Sequence, residues 1–369
     1  MNENRLKILF SMPNPSLQGG PAQHLPLLLD GLRDHYDIWL FEFGRKKDTE
    51  KLWQKLRGRL LDLFRLNLAI SAFEPDVIHH NTAFDRRSII RDAPLAWLAS
   101  FRQVPILIKV HGSHQEAFGD MGLVVNQLRD YLVRNAWRIC VLSEMEKNEF
   151  EGRWPHCLGR VTVAKNIIKS EFFEVQRRES PNPTVLFISR FIRNKGIYDL
   201  LDAVPLVLGK IPDARFIFIG SGPDGEEFDR AIKDRKLDQA VTHLPQVGNQ
   251  ETRDYYRKSW CLAFPTHYPE GMPMVVAEAM AAGCPVITSR TRFSGSLMTE
   301  GRHCLFIDPD RPGSIAAQII RLLNDRGLRE DLGRNSKELA KQFTDQEVTE
   351  EFRRIYGGLA DKSILQSEK

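Results

Sequence analysis

The run PEGMPMVVAEAMAAGCPVI, residues 269–287, holds two carboxylates in a setting that suits sugar hydroxyls. Glu270 stands just before a predicted helix over 274–282 and Glu278 lies inside it, with seven residues between them. Gly271 and Pro273 set a turn that aims backbone N–H groups outward beside a carboxylate acceptor. Glu278 is flanked by Val275, Val276, Ala277, Ala279 and Met280. A charge in so apolar a helix needs a polar partner, and ribose hydroxyls supply one. A second constellation, SRFIRNKG at 189–196, sets Arg190 at the end of a predicted strand and Lys195 before a predicted helix. Two cations at a strand end suit a diphosphate, with an ordinary surface turn as the competing reading. A third, GSGPDG at 220–225, has GxGxxG spacing, in which Gly220 and Gly222 let backbone approach a phosphate closely. A simple tight turn has the same spacing, and Asp238, at the distance of a ribose-binding acid, stands in a polar helix end rather than at a strand terminus.

These residues need elements to position them. Short apolar runs alternate with longer helical stretches, the pattern of βαβ units. In the first half, strands are predicted over 6–12, 37–43, 76–81, 105–112 and 138–144. Helices are predicted over 24–32, 51–73 and 93–102, with another between the last two strands. Gly19 and Gly20 make a turn after the first strand, and Glu74-Pro75 ends the long helix. Residues 174–183, EVQRRESPNP, are polar and proline-bearing and read as an interdomain linker. The pattern then restarts, with strands over 184–190, 214–220, 260–265 and 285–289 and helices over 197–210, 226–235 and 274–282. Gly283 stops the last of these, and closing helices run from Gly313 onwards. The expectation is an α/β protein with two Rossmann-like, doubly wound domains, 1–173 and 184–344, and a helix over 345–360 returning to the first. A ligand then belongs in the cleft between them, outside the carboxyl ends of the strands.

A chain of 369 residues is too long for one ordinary core, which agrees with two domains. Residues 1–180 carry 26 cations against 22 carboxylates, and residues 181–369 carry 26 against 26, so the net +4 lies wholly in the first part. It concentrates in the segment from Arg45 to Arg65, eight cations against three carboxylates, interleaved with Leu52, Trp53, Leu56, Leu60, Leu61, Leu63 and Phe64. Such a segment suits an anionic acceptor or an anionic membrane surface, with a solvated helix face as the alternative. The five cysteines are odd in number and form no CxxC pair, so they read as reduced thiols of a cytoplasmic protein. No apolar run approaches the ~18 residues that span a bilayer. Membrane contact is therefore expected to be peripheral, at the inner face.

The ordered set of motifs resembles the family-four, or group 1, retaining glycosyltransferases, which have the GT-B fold. The Glu270/Glu278 pair is similar to their Glu-x7-Glu signature. Other elements stand in family order: Gly19–Gly20, His111–Gly112, LSE at 142–144, KNIIKSEFF at 165–173, Arg190 and Lys195, GSGP at 220–223, and EGRHCLFIDP at 300–309. The resemblance covers about residues 6–345. It implies that Gly20 offers N–H to the donor phosphates, with Gly19 beside it. It implies that Arg190 and Lys195 neutralise the leaving diphosphate and that Glu270 holds the donor sugar with the amides of Gly271, Met272 and Met274. Glu278 then takes the ribose, and His111 lies beside the sugar. The donor is a nucleoside-diphosphate sugar, UDP- or GDP-linked, and the acceptor a glycan, a lipid-linked or a small molecule. No cofactor, metal or nucleic acid is implied. Asp308-Pro309-Asp310 formally reads DxD, the metal motif of the other glycosyltransferase fold, but follows a predicted strand and reads as a turn. His303 stands where the family pattern has Gly, and Pro21 follows Gly20. The main alternative is a nucleotide-sugar epimerase on the same frame. A nicotinamide dehydrogenase would carry its glycine fingerprint in the first βα unit, where this chain has SMPNPSLQGG.

Overall fold

The computed structural model describes residues 5–13, 20–44, 52–112 and 117–360. The chain divides into two units, Met1–Ile167 with Asp345–Lys369, and Ile168–Thr344. In the first unit six strands form one parallel sheet: β1 (Lys7–Pro13), β2 (Asp37–Phe43), β3 (Val77–Thr82), β4 (Ile106–Val110), β5 (Ala136–Val141) and β6 (Val161–Val163). Their order is β2-β1-β3-β4-β5-β6. Crossovers run through α1 (Gly20–Arg33), α2 (Leu52–Phe73), α3 (Arg86–Phe101), α4 (Leu123–Asn135) and α5 (Glu144–Arg153). Helices on both faces bury β3 and β4 at every position, which is why their sequences are continuous rather than alternating apolar runs. Leu9, Ile78, Ile106 and Ile108 point to one core, and Ile8, Phe10, Val77 and Leu107 to the other.

The second unit repeats the plan with α6 (Ser170–Phe173), β7 (Thr184–Ile188), α7 (Ile197–Leu208), β8 (Arg215–Ile219), α8 (Gly225–Asp234), β9 (Val241–Leu244), α9 (Asn249–Lys258) and β10 (Cys261–Phe264). It continues through α10 (Met274–Ala281), β11 (Val286–Ser289), α11 (Arg292–Leu297), β12 (Leu305–Ile307), α12 (Pro312–Asn324) and α13 (Arg326–Ala340). The sheet is parallel, ordered β12-β11-β10-β7-β8-β9. The chain winds outward from β7 in one direction and from β10 in the other, so their carboxyl ends flank the topological switch point, where doubly wound sheets bind ligands.

The chain then returns to the first unit as α14 (Asp345–Ala360). Val348, Phe352, Tyr356 and Leu359 complete the core beneath α1. Phe352 stacks on His79 at 5.4 Å, and Tyr356 Oη and His79 Nδ1 share a 2.5 Å hydrogen bond.

Three details differ from the sequence reading. The boundary falls between Ile167 and Ile168 rather than after residue 173. Residues 174–183 are no free linker: the N–H groups of Arg178 and Ser180 donate to the carbonyls of Arg257 and Lys258, and the Trp260 indole N–H donates to Ser180 O. Helix α1 begins at Gly20, four residues earlier than its apolar pattern indicates.

Because α14 carries core residues of a unit that ends in sequence at Ile167, Phe352→Ala should destabilise that unit by about 3–5 kcal/mol through the cavity it leaves. Hydrogen exchange resolved by peptide should show faster opening in residues 7–163 while 184–340 keep their protection. Equal loosening of both units would contradict this assignment of the helix.

Candidate functional site

The loops leaving β7 and β10 meet at the switch point of the second sheet. The N–H of His267 donates to Asn194 O at 2.9 Å, joining them. Gly196 has φ +82°, and a Cβ there would lie 1.9 Å from Pro265 O, so only glycine permits the approach. That contact carries Lys195 to Glu270: the ammonium donates to Glu270 Oε1 and lies 4.8 Å from the Tyr268 ring centroid. Thr266 Oγ1 stands 3.3 Å from the same carboxylate oxygen. Among the described residues, Glu270 Oε2 accepts no hydrogen bond and the exposed Arg190 guanidinium pairs with nothing. The start of α11 pins the next turn, through Arg292 N–H to Pro269 O and Phe293 N–H to Glu270 O, both 3.1 Å. The N–H groups of Gly271 and Met274 hydrogen-bond to no described residue. They are orphan donors at a helix start, and Met272 between them is buried.

Glu278, one turn inside α10, has a protein partner that its apolar neighbours in sequence conceal. The Tyr256 hydroxyl, on α9 and fully buried, lies 3.2 Å from Glu278 Oε2 and 3.0 Å from Val275 O. Glu278 Oε1 accepts from no described residue. Burial pushes the Glu278 carboxyl up to about 7, against the opposing pull of the Tyr256 hydrogen bond and of Lys169. Tyr256 was outside the sequence reading because α9, NQETRDYYRK, is polar and gives little apolar periodicity. The paired aromatics Tyr255–Tyr256 were its only signal.

The glycines of GSGPDG have a packing reason. A Cβ on Gly220 would lie 1.8 Å from Ser189 O, and one on Gly222 would lie 2.2 Å from Phe191 O. The Gly220 N–H is committed to Leu244 O at 3.0 Å. The turn closes on Phe191, which His243 stacks at 4.2 Å, and Asp224 accepts the Arg193 N–H at 2.6 Å. Asp308 accepts the Asp310 N–H and pairs with Arg311 at 3.2 Å, the arrangement of a turn.

In the first unit Gly20 opens α1, while Gly19 and the segment from Arg45 to Lys51 lie outside the described residues. His111 follows β4. Its Nε2 lies 2.6 Å from Asn81 Oδ1, and Asn81 Nδ2 donates to Ser11 O at 2.7 Å. With the Asn81 amide committed that way, its oxygen faces the imidazole, so the proton sits on Nε2 and Nδ1 is an acceptor. Nδ1 has no partner among the described residues. Burial, with His24 and Lys109 nearby, holds His111 well below its ordinary pKa, so the ring is neutral. Asn81 was missed because it reads as the last residue of a buried strand. Ser11, His80 and Asp92 lie in line at 2.7 and 3.3 Å but are at most 2% exposed, too deeply sealed for a substrate to reach.

Residues 168–339 match the sequence family described as Glycosyl transferases group 1. An uncharacterized glycosyltransferase of Methanocaldococcus jannaschii is 26% identical over 362 residues, covering 93% of this chain and 95% of its own. A glycogen synthase of Mycobacterium tuberculosis is 24% identical over 294 residues, covering 77% of this chain and 69% of that protein. Among solved structures, the Anabaena protein HepE in complex with UDP and glucose superposes with a TM-score of 0.76 at 17% identity, covering 96% of this chain and 100% of HepE. HepE has also been solved with UDP-glucose.

Glu278 gives a measurable pH signature. Its folded pKa of about 7 exceeds the ordinary 4.5, so the folded state binds the proton more tightly. The stability this contributes is full below pH 4.5 and is lost as pH rises through 7. Glu278→Gln should therefore gain stability relative to the parent between pH 5 and pH 8, on the order of 1–3 kcal/mol in urea unfolding. A difference that does not change with pH would mean that Glu278 titrates normally.

Proposed function

We propose, for a chain that belongs to the group 1 glycosyltransferases and shares the GT-B fold, that it moves a sugar from a nucleoside-diphosphate donor to a glycan or lipid-linked acceptor with retention at the anomeric carbon. The observation that carries this reading is the switch-point cluster. It sets Arg190, the Lys195–Glu270 pair and the unpartnered N–H groups of Gly271 and Met274 at the carboxyl ends of β7 and β10.

Breaking the sugar–diphosphate bond leaves negative charge on the phosphate and positive charge on the sugar ring. Arg190 and Lys195 neutralise the first, and fixed donors in a partly buried site do so without reorganising. Glu270 uses its open Oε2, with the adjacent amides, to hold donor-sugar hydroxyls. Glu278 accepts from the ribose through Oε1 while Tyr256 fixes its other oxygen. We assign His111 to a sugar hydroxyl, accepted at Nδ1 with Asn81 holding the tautomer, and Gly19 and Gly20 to the donor phosphates. HepE, crystallised with UDP-glucose, supports a uridine donor as the first to test. Because Arg190 and Lys195 carry the countercharge, the reaction needs no added divalent ion.

The first unit offers a surface for the acceptor's carrier. On α2, Trp53, Leu60 and Phe64 are 57%, 70% and 61% exposed. On the neighbouring α3, Trp97 and Phe101 are 57% and 71% exposed and stack on each other at 5.7 Å. Arg57, Arg59 and Arg102 stand on the same two helices or at their ends. No helix among the described residues is long and apolar enough to cross a membrane. We assign this face to the surface of an anionic bilayer, where each cation contributes about 1 kcal/mol.

The test of the reaction is transfer from labelled UDP- and GDP-sugars to lipid-linked and free oligosaccharides, with the product anomer read by NMR. Retention is expected. Arg190→Ala and Lys195→Ala should each lower kcat about 10²–10³-fold. EDTA should leave the rate unchanged. Inversion, or turnover abolished by EDTA and restored by Mg²⁺, would overturn the corresponding part of the reading.

For the membrane surface, the parent should float with anionic vesicles at low salt. A variant with Arg57, Arg59 and Arg102 changed to Gln, and another with Trp53 and Phe64 changed to Ser, should stay with the soluble fraction. Flotation that is the same for all three proteins would refute the assignment.

A further inference from the structure

A cavity of about 800 Å³ opens on the second unit, and none of Arg190, Lys195, Glu270 or Glu278 lines it. Its walls are residues 177–180, Trp260, the end of α10 at Ala282–Gly283, and one stripe of α13. The α13 stripe contributes Arg326, Arg329, Glu330, Arg334 and Lys337, spaced as one helical face. In all, six cations and two carboxylates line the space, whereas residues 168–344 as a whole carry 25 cations against 23 carboxylates.

Part of this charge holds the cavity open. Arg329, 4% exposed, forks onto Glu179 at 3.0 and 3.1 Å, lies 4.0 Å over the Trp260 ring, and donates to the carbonyls of Leu322 and Leu323. Arg177 shares Glu179 at 3.4 Å and donates to Tyr256 O. Glu330 is taken by Arg326 at 2.8 Å, and Arg334 pairs with Asp331 at 3.0 Å. That leaves Arg178 exposed, its side chain paired with no described residue, and Lys337 with one 3.3 Å contact to Val175 O. Burial lowers the Lys337 pKa, the mark of an ammonium short of counter-charge. Both carboxylates are committed to guanidinium groups, so Arg178 and Lys337 are left facing the space without an answering anion. The volume lies in the range of pockets that enclose a small molecule.

We propose that this cavity is a second anion site, for a phosphorylated small molecule bound by Arg178 and Lys337, and that its occupancy changes donor affinity. The route is short. Arg177 donates to the Tyr256 carbonyl, and the Tyr256 hydroxyl meets Glu278. Gly283 ends α10 against α13 so closely that a Cβ on Gly333 would lie 2.4 Å from Gly283 O. An anion that draws Arg177 or shifts α13 acts on both supports of Glu278. This coupling rests on the ribose role given to Glu278 above; the anion site itself does not.

Calorimetry with inorganic pyrophosphate tests both. Pyrophosphate titrated into protein saturated with UDP should still bind. Arg178→Gln/Lys337→Gln, both accessible positions outside the switch-point cluster, should raise that Kd at least tenfold and leave the UDP Kd unchanged. Citrate should bind at least tenfold more weakly than pyrophosphate. Absence of heat in the UDP-saturated parent, an unaltered Kd in the double variant, or citrate binding equally well would overturn the site. Should neither UDP nor GDP bind, the donor reading fails. The same titration in Arg190→Gln/Lys195→Gln then still decides the cavity, with binding retained if the site is real. For the coupling, pyrophosphate should change the UDP-glucose Kd at least threefold more in the parent than in Arg178→Gln/Lys337→Gln, which retains simple competition at the donor phosphates. Equal changes would overturn the coupling.

Discussion

The approach of Gly196 to Pro265 is the constraint on which the second unit's chemistry rests. Two parallel strands that diverge in winding direction leave loops whose ends face each other, and these loops touch through backbone. A left-handed glycine removes the Cβ that would separate them. Once they touch, Lys195 on one loop and Glu270 on the other are neighbours without any long side-chain reach. The ion pair is thus a consequence of sheet topology. Lys195 shares its charge with Glu270, and Arg190 pairs with no carboxylate among the described residues, so the cluster keeps a net positive charge, as the anionic leaving group proposed above requires.

Burial then sets the state of each polar group. Glu278 and His111 are both driven toward neutrality by desolvation, and each has a neighbour that fixes one side and leaves the other open. Tyr256 engages Glu278 Oε2 and leaves Oε1; Asn81 engages His111 Nε2 and leaves Nδ1. One-sided engagement orients a side chain while preserving its capacity to accept a ligand hydroxyl. A carboxylate or imidazole satisfied on both sides would be a structural residue, as Asp92 is between Arg91 and Thr82.

Much of this was legible in sequence, and the failures have physical causes. Long central strands read clearly because burial on both faces makes them continuous apolar runs. β6 and β9, three and four residues long at sheet edges, were missed: an edge strand has one neighbour and needs less apolar sequence. The carboxylates and cations were visible by type and spacing. Their supports were not, because Tyr256 and Asn81 lie on elements remote in sequence from the residues they orient. The 174–183 segment misled for a related reason: its polar composition suggests solvent, yet its backbone is hydrogen-bonded to residues 257 and 258.

The helix α10 connects these observations. Its eight residues carry a single charge, Glu278, and five of them are buried. An apolar, closely packed helix moves as a piece, because interiors at crystalline density transmit displacement instead of absorbing it. Its first residue, Met274, presents an orphan N–H group, its middle presents Glu278, and its end rests on α13 through two glycines that leave no slack. A rotation small enough to preserve every apolar contact still changes the direction of Glu278 Oε1, whereas the α11 hydrogen bonds hold the Glu270 turn independently. On the roles proposed above, Glu278 is therefore the more adjustable half of the site, and the Lys195–Glu270 cluster the more rigid half. If Glu278 holds the ribose as proposed, forces applied at the far end of α10 act on affinity for the nucleoside before they act on the bond that breaks.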